Sequence, residues 1–142
     1  MFTVYWHPNI DVLAYYQLQT ASFVDPTNEL YLSNPSYRFI QVNLQENLLK
    51  SLLVSMFLAS IRKTVPPHLQ STYLVSNQNM EYVRDALGMV NKHIGYVYLL
   101  DERLRIRWAA CGDAKPEETE ALRISVGVLL NRLQRGEMGG AQ

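Results

Sequence analysis

The sequence predicts an α/β domain over residues 1–135: a central mixed sheet of about five strands flanked by helices, with 136–142 as a flexible C-terminal tail. Three observations carry this. Short β-branched and aromatic runs alternate with longer apolar stripes of helical spacing. The pattern "GYVYLLDERLRIRWAACG" (95–112) reads as a terminal antiparallel hairpin. An amphipathic stretch with acidic residues at its start and basic ones at its end closes the chain. The implied order is β-α-β-α-β-α-β-β-α.

Each element has its own signals. "FTVYW" (Phe2–Trp6) is a buried-strand pattern, broken by Pro8 and Asn9. Asp11 is a natural N-cap for a helix reaching about Phe23. Turn formers fill Asp25–Ser36, which reads as loop. Tyr37–Leu44 is the second strand, and Gln45–Thr64 is helical until Pro66-Pro67 stops it. "STYLVS" is the third strand. Asn79 caps a helix with Tyr82, Val83, Ala86, Leu87 and Val90 on one stripe. Tyr96–Leu100 then pairs with Leu104–Ala109 across "DER". In the last helix Pro116 sits near the first turn with Glu117, Glu118 and Glu120, while Arg132 and Arg135 precede Gly136.

Composition narrows the function classes. Thirteen basic residues balance thirteen acidic ones, so the basic footprint of a nucleic-acid binder is missing. A lone cysteine excludes an internal disulfide. The most apolar run, Leu48–Ile61, carries Lys50, Ser51, Ser55 and Ser60 and falls short of the ~20 apolar residues of a membrane span. The sequence opens directly on a strand pattern, from which the expectation is either a cytosolic protein or a chain that has lost its leader.

A parallel core closed by a terminal hairpin and helix is the thioredoxin-like pattern, in its peroxiredoxin-like variant with an insertion after the second strand. Redox members place a nucleophilic cysteine where the first strand meets its helix, and a cis-proline before the hairpin. Here the junction "YWHPNIDVL" (Tyr5–Leu13) holds no Cys, Ser or Thr, and the hairpin position is Gly95. Both hallmarks, CxxC and cis-Pro, are missing. His7 reads as a polar turn residue, having no nucleophile or second ligand nearby. Cys111 lies past the hairpin near Asp113, a setting that disfavours a thiolate. His7, His68, His93 and Cys111 are scattered, with no short metal-ligand spacing. No catalytic, cofactor or metal residue is assigned.

Two surfaces stand out as partner-binding candidates. The 45–64 helix is apolar around most of its circumference, more than a sheet-covering helix needs. Val54, Phe57 and Leu58 lie away from the Leu48, Leu52, Ala59 side and form either an exposed apolar patch or one covered by the insertion. In the hairpin, Leu104, Ile106 and Trp108 face one way and Arg103, Arg105 and Arg107 the other. That row would suit an acidic or carbonyl-rich partner, or simply be a solvated strand that deters edge pairing.

The stretch "NMEYVRDALGMVNKHIGYVYLLDERLRIRWAACGDAKPEETEAL" (79–122) resembles the closing part of the mitochondrial ATP synthase assembly factors, within it "GYVYLLD", "RIRWAACG" and "PEE". "VNLQENLLKSLLVSMF" and "RKTVPPH" also fit, so the resemblance runs from Phe2 to Leu133. It implies a non-enzymatic, thioredoxin-like chaperone without a cofactor. Such a protein binds newly made, hydrophobic Fo subunit a (subunit six) and helps it join the c-ring, on the matrix side of the mitochondrial inner membrane, with peripheral membrane association. Members of the family carry a presequence and an N-terminal extension that this sequence does not display. The rival readings are a divergent thiol oxidoreductase or peroxidase using Cys111, and a metallochaperone using His7 or His93.

Overall fold

The computed structural model describes residues 2–7, 13–44, 67–76, 81–91 and 94–139. Its elements are β1 (Phe2–His7), α1 (Leu13–Tyr31), β2 (Arg38–Leu44), a 3-10 turn (Pro67–Thr72), β3 (Tyr73–Ser76), α2 (Glu81–Ala86), β4 (Tyr96–Leu100), β5 (Ile106–Cys111) and α3 (Pro116–Gly139). The predicted helix over 45–64, with Val54, Phe57 and Leu58, lies outside the described residues. The architecture is mixed α/β around one sheet of order β3-β2-β1-β4-β5. β1 runs parallel to β2, and β2 to β3. β4 lies antiparallel to both β1 and β5.

Core formation centres on β4. Its residues alternate between two faces, as a strand must. Val97 and Leu99 point to one side and are fully buried against Phe23 and Val24 of α1, Phe39 of β2, and Leu122, Val126, Leu129 and Leu130 of α3. Tyr96 and Tyr98 point to the other, where they stack with ring centroids 6.3 Å apart and pack with Met89. Both hydroxyls are used. Tyr98 Oη donates to the Leu87 carbonyl, and Tyr96 Oη accepts the Asn91 N–H, each at 2.9 Å. Burial, then the neighbouring Tyr96 and Cys111, push the Tyr98 phenol up to about 12, so it remains a donor throughout the physiological range.

Helix α1 overruns the predicted loop. It continues through Asp25 and Pro26 to Tyr31. An interior proline removes one helical hydrogen bond and costs about 3 kcal/mol on its own. Burial offsets this: Phe23 and Val24 lie in the core, on a stripe that exists only if the helix continues. The Ser22 carbonyl, which Pro26 has no N–H to meet, lies 3.5 Å from the Thr119 hydroxyl of α3, which is nearer the Lys115 carbonyl at 3.2 Å. Near the end of α1, Gly127 of α3 makes room for a ring: a Cβ there would stand 2.8 Å from Tyr31 Oη. Asn34 then turns the chain, accepting the Ser36 N–H on Oδ1 at 2.9 Å. Tyr37, just ahead of β2, donates its hydroxyl to Asn28 Oδ1 and ties the end of α1 to the sheet.

Helix α2 is shorter than the predicted stripe to Val90. Gly88 adopts φ +69°, its N–H bonds the Asp85 carbonyl, and the Met89 N–H bonds the Arg84 carbonyl. These two bonds form a Schellman cap with glycine at the left-handed position. Val90 is left 96% exposed and outside the helix, while Met89 enters the core. Helix α3 begins as predicted: Pro116 takes the first turn, and the Glu118 carboxylate accepts the Lys115 N–H at 3.2 Å, one half of a capping box. It does not stop at Gly136 but runs to Gly139, because Gly136 keeps a helical backbone instead of the positive φ of a cap. The tail predicted over 136–142 is therefore helical as far as 139.

Gly88→Ala lowers unfolding free energy by about 1 kcal/mol, since a Cβ in the left-handed region is penalised while the surrounding space is open. A urea titration should show a lower midpoint with an unchanged slope.

Candidate functional site

The β4–β5 connection builds the most strongly charged feature among the described residues. The Leu104 N–H bonds the Asp101 carbonyl, and the Asp101 N–H bonds the Arg105 carbonyl, each at 3.0 Å. This is a tight turn followed by a residue in the left-handed region, a place normally given to glycine. Leu104 occupies it with φ +59° and stands 66% exposed. Strand β5 therefore starts at Ile106, not Leu104, and extends to Cys111.

Pairing shifts at the head of β5. Leu99 faces Trp108, whereas Leu100 faces Ile106, so Arg107 is the extra residue of a β-bulge. The predicted alternation fails for this reason. Trp108 packs inward, edge-on to Phe23 with centroids 6.0 Å apart, but Ile106 and Leu104 are exposed. On the arginine side, Arg103, Arg105 and Arg107 do not form a free row: two of their side chains turn onto Asp101.

Asp101 is only 1% exposed, because it follows directly on a strand covered on both faces. A buried carboxylate requires partners. Oδ1 accepts the backbone N–H groups of Arg103 and Arg105, each at 2.9 Å. Oδ2 accepts Arg105 Nε at 2.9 Å and Arg107 Nε at 2.7 Å, with Arg107 Nη2 also at 2.7 Å. Burial, the largest single influence, pushes the carboxyl up. The bonds from the Arg105 backbone, the Arg107 side chain, the Arg103 backbone and the Arg105 side chain together outweigh it and hold Asp101 well below its ordinary 3.8.

Beside this turn lies a groove of about 410 Å³. One wall is Asp101, Glu102, Arg105 and Arg107; the other is Leu129, Arg132, Leu133 and Gly136, a single face of α3. Sequence reading finds Arg105 and Arg107 but not Asp101 or Arg132. Asp101 reads as a turn former and Arg132 as a partner of the helix dipole. The available signal was Asp at the first position of a turn followed by basic residues.

The other sequence candidates are dispersed. His7 ends β1, pairing in register with Asn43 of β2. Residues 8–12 and His93 lie outside the described set. Gly95 is buried, and its carbonyl accepts the Gly112 N–H at 3.0 Å, so it closes the base of the hairpin. Cys111 is exposed at the end of β5, across from Tyr96. Among the described residues no group of three His, Cys, Asp or Glu could hold a metal ion, and no helix is long and apolar enough to cross a membrane.

Two outcomes follow from the turn. Asp101 is more acidic folded than unfolded, so its contribution to stability is full above about pH 4 and is lost as the carboxyl protonates below that. Asp101→Asn should therefore melt several degrees lower than the parent at pH 7, with the gap narrowing towards about pH 2 in thermal scans. Leu104→Gly relieves the left-handed backbone and should raise unfolding free energy by about 1 kcal/mol in urea titrations.

The model of the ATP10 protein family matches residues 11–129. Three curated relatives cover a large part of this chain. The mitochondrial ATPase complex subunit ATP10 of Saccharomyces cerevisiae is 43% identical over 95 residues, 66% of this chain and 34% of its own length. The probable mitochondrial ATPase complex subunit atp10 of Schizosaccharomyces pombe is 31% identical over 90 residues, 63% of this chain and 33% of its own. The Candida glabrata mitochondrial ATPase complex subunit ATP10 is 35% identical over 98 residues, 68% and 36% respectively. The chain thus spans about a third of the length of these relatives. No solved structure matches it. With the family model covering most of the sequence, the chain belongs to the ATP10 protein family.

Proposed function

We propose that this protein is a non-enzymatic assembly factor of the mitochondrial ATP synthase. On this reading it binds newly made Fo subunit a and promotes its union with the c-ring. It works on the matrix side of the inner membrane, with peripheral attachment. The observation that carries the proposal is the family match over residues 11–129, joined by relatives named as mitochondrial ATPase complex subunits.

Two further observations support a scaffold without enzymatic chemistry. The order β2-β1-β4-β5, a parallel pair joined to an antiparallel hairpin that a helix follows, is what a thioredoxin-like frame requires. The first strand and its helix meet at Tyr5–Leu13, a segment without a thiol or hydroxyl nucleophile other than the Tyr5 phenol. Val54, Phe57 and Leu58 are proposed as apolar contacts for the client, and Arg103, Arg105 and Arg107 as polar ones.

Photoreactive residues placed at positions 57 and 105 in mitochondria should crosslink newly synthesised subunit a. Phe57→Glu should reduce its recovery, and Cys111→Ser should leave it unchanged. Failure to recover subunit a from a chain that remains folded and imported overturns the proposal. Peroxide or disulfide turnover that vanishes in Cys111→Ser would replace it with a thiol activity.

A further inference from the structure

We infer that the groove between the β4–β5 turn and α3 is a receptor for a peptide carboxylate: a single acidic side chain flanked by aliphatic residues on a partner protein. The assignment rests on the lining itself; it shares Arg105 and Arg107 with the proposed client contacts but does not require the client to be subunit a. Arg105, Arg107 and Arg132 supply three cations. Asp101 is already saturated, chiefly by Arg107, which approaches it with both Nε and Nη2. Glu102, exposed at the turn, offsets one more. One positive charge remains in surplus. Among the described residues Arg132 makes no ion pair, and Arg105 reaches Asp101 only through Nε, its side chain 53% exposed. Two guanidiniums therefore flank the groove from opposite walls with donors to spare.

Their placement is preorganised. The turn holds Arg105 by its backbone N–H and by Nε on the same buried carboxylate, and the bulge sets Arg107 beside it. An arginine held in this way loses less side-chain entropy when it takes a ligand, and its planar fork matches a carboxylate. Leu129 and Leu133 give the α3 wall its apolar part, on either side of Arg132 in sequence. A concave site of about 410 Å³ with leucines beside a guanidinium suits an inserted acidic-aliphatic segment. A free phosphate would leave the leucines unused. A membrane surface is met by a convex apolar face, not a recess.

The probe is a fluorescein-labelled heptapeptide with one central glutamate among leucines and serines, titrated against the full chain by fluorescence anisotropy. Its counterpart carries glutamine in place of glutamate. The glutamate peptide should bind more tightly than the glutamine peptide. Arg132→Gln, whose melting curve should match the parent's, should weaken glutamate-peptide binding by about fivefold and leave the glutamine peptide unaffected. Arg105→Lys, which keeps the charge but removes the fork, should weaken it by a smaller factor. Equal binding of both peptides, no binding of either, or binding insensitive to Arg132→Gln overturns the inference. Sedimentation with anionic phosphatidylserine vesicles that depends on Arg132, without peptide binding, overturns it in favour of a lipid surface.

Discussion

Strand β4 is buried on both faces from Tyr96 to Leu99, and the elements on either side of it are placed by that burial. Val97 and Leu99 require α1 and α3 on one side, while Tyr96 and Tyr98 require the stretch after α2, with Leu87 and Met89, on the other. The strand has hydrogen-bonded neighbours at both edges as well. Such a strand must be apolar almost throughout, and any polar group near it must bring its partner. The two tyrosines satisfy that condition with their hydroxyls, and in doing so they hold the chain that leads from α2 into the hairpin.

The same condition generates the groove. The residue after β4 is still buried, and it is an aspartate. Its carboxylate is neutralised by the two arginines that the turn and bulge deliver. A buried ion pair is weak evidence for stability, since desolvation consumes much of the attraction. Its clearer effect is geometric: it fixes the direction of two long side chains that would otherwise move freely. Leu104 in a left-handed backbone belongs to the same arrangement, for it is the residue that lets Arg105 return its carbonyl to Asp101.

Legibility in the sequence tracked how local the cause was. β4 was readable because five residues of high strand propensity stand between turn signals, and the start of α3 because Pro116 and Glu118 act within one turn. The extent of α1 was not. Asp25, Pro26 and Asn28 all signal a loop, and what overrides them is burial of Phe23 and Val24 against elements far along the chain. The stripe to Val90 is misleading because its apolar spacing runs on past Gly88, which ends α2. In the site, Arg105 and Arg107 were visible by composition. The bulge that redirects them was not, because a leucine stands where a glycine would have announced the turn. Arg132 joins them only through the packing of α3 beside the hairpin.

Strand order also constrains how the molecule is made. β1 lies at the centre of the sheet, yet it is synthesised first, and one of its two neighbours, β4, emerges only after most of the described chain: Phe2 pairs with Leu100. As the chain folds, β1 can zip onto β2 early, leaving its other edge as a row of open amides and carbonyls until the hairpin docks. An unfinished chain therefore passes through a stage with an adhesive sheet edge. The contacts that end that stage are long-range and slow to form. A protein proposed to shepherd another subunit through assembly thus exposes, until its own hairpin docks, the kind of open edge that invites a wrong partner.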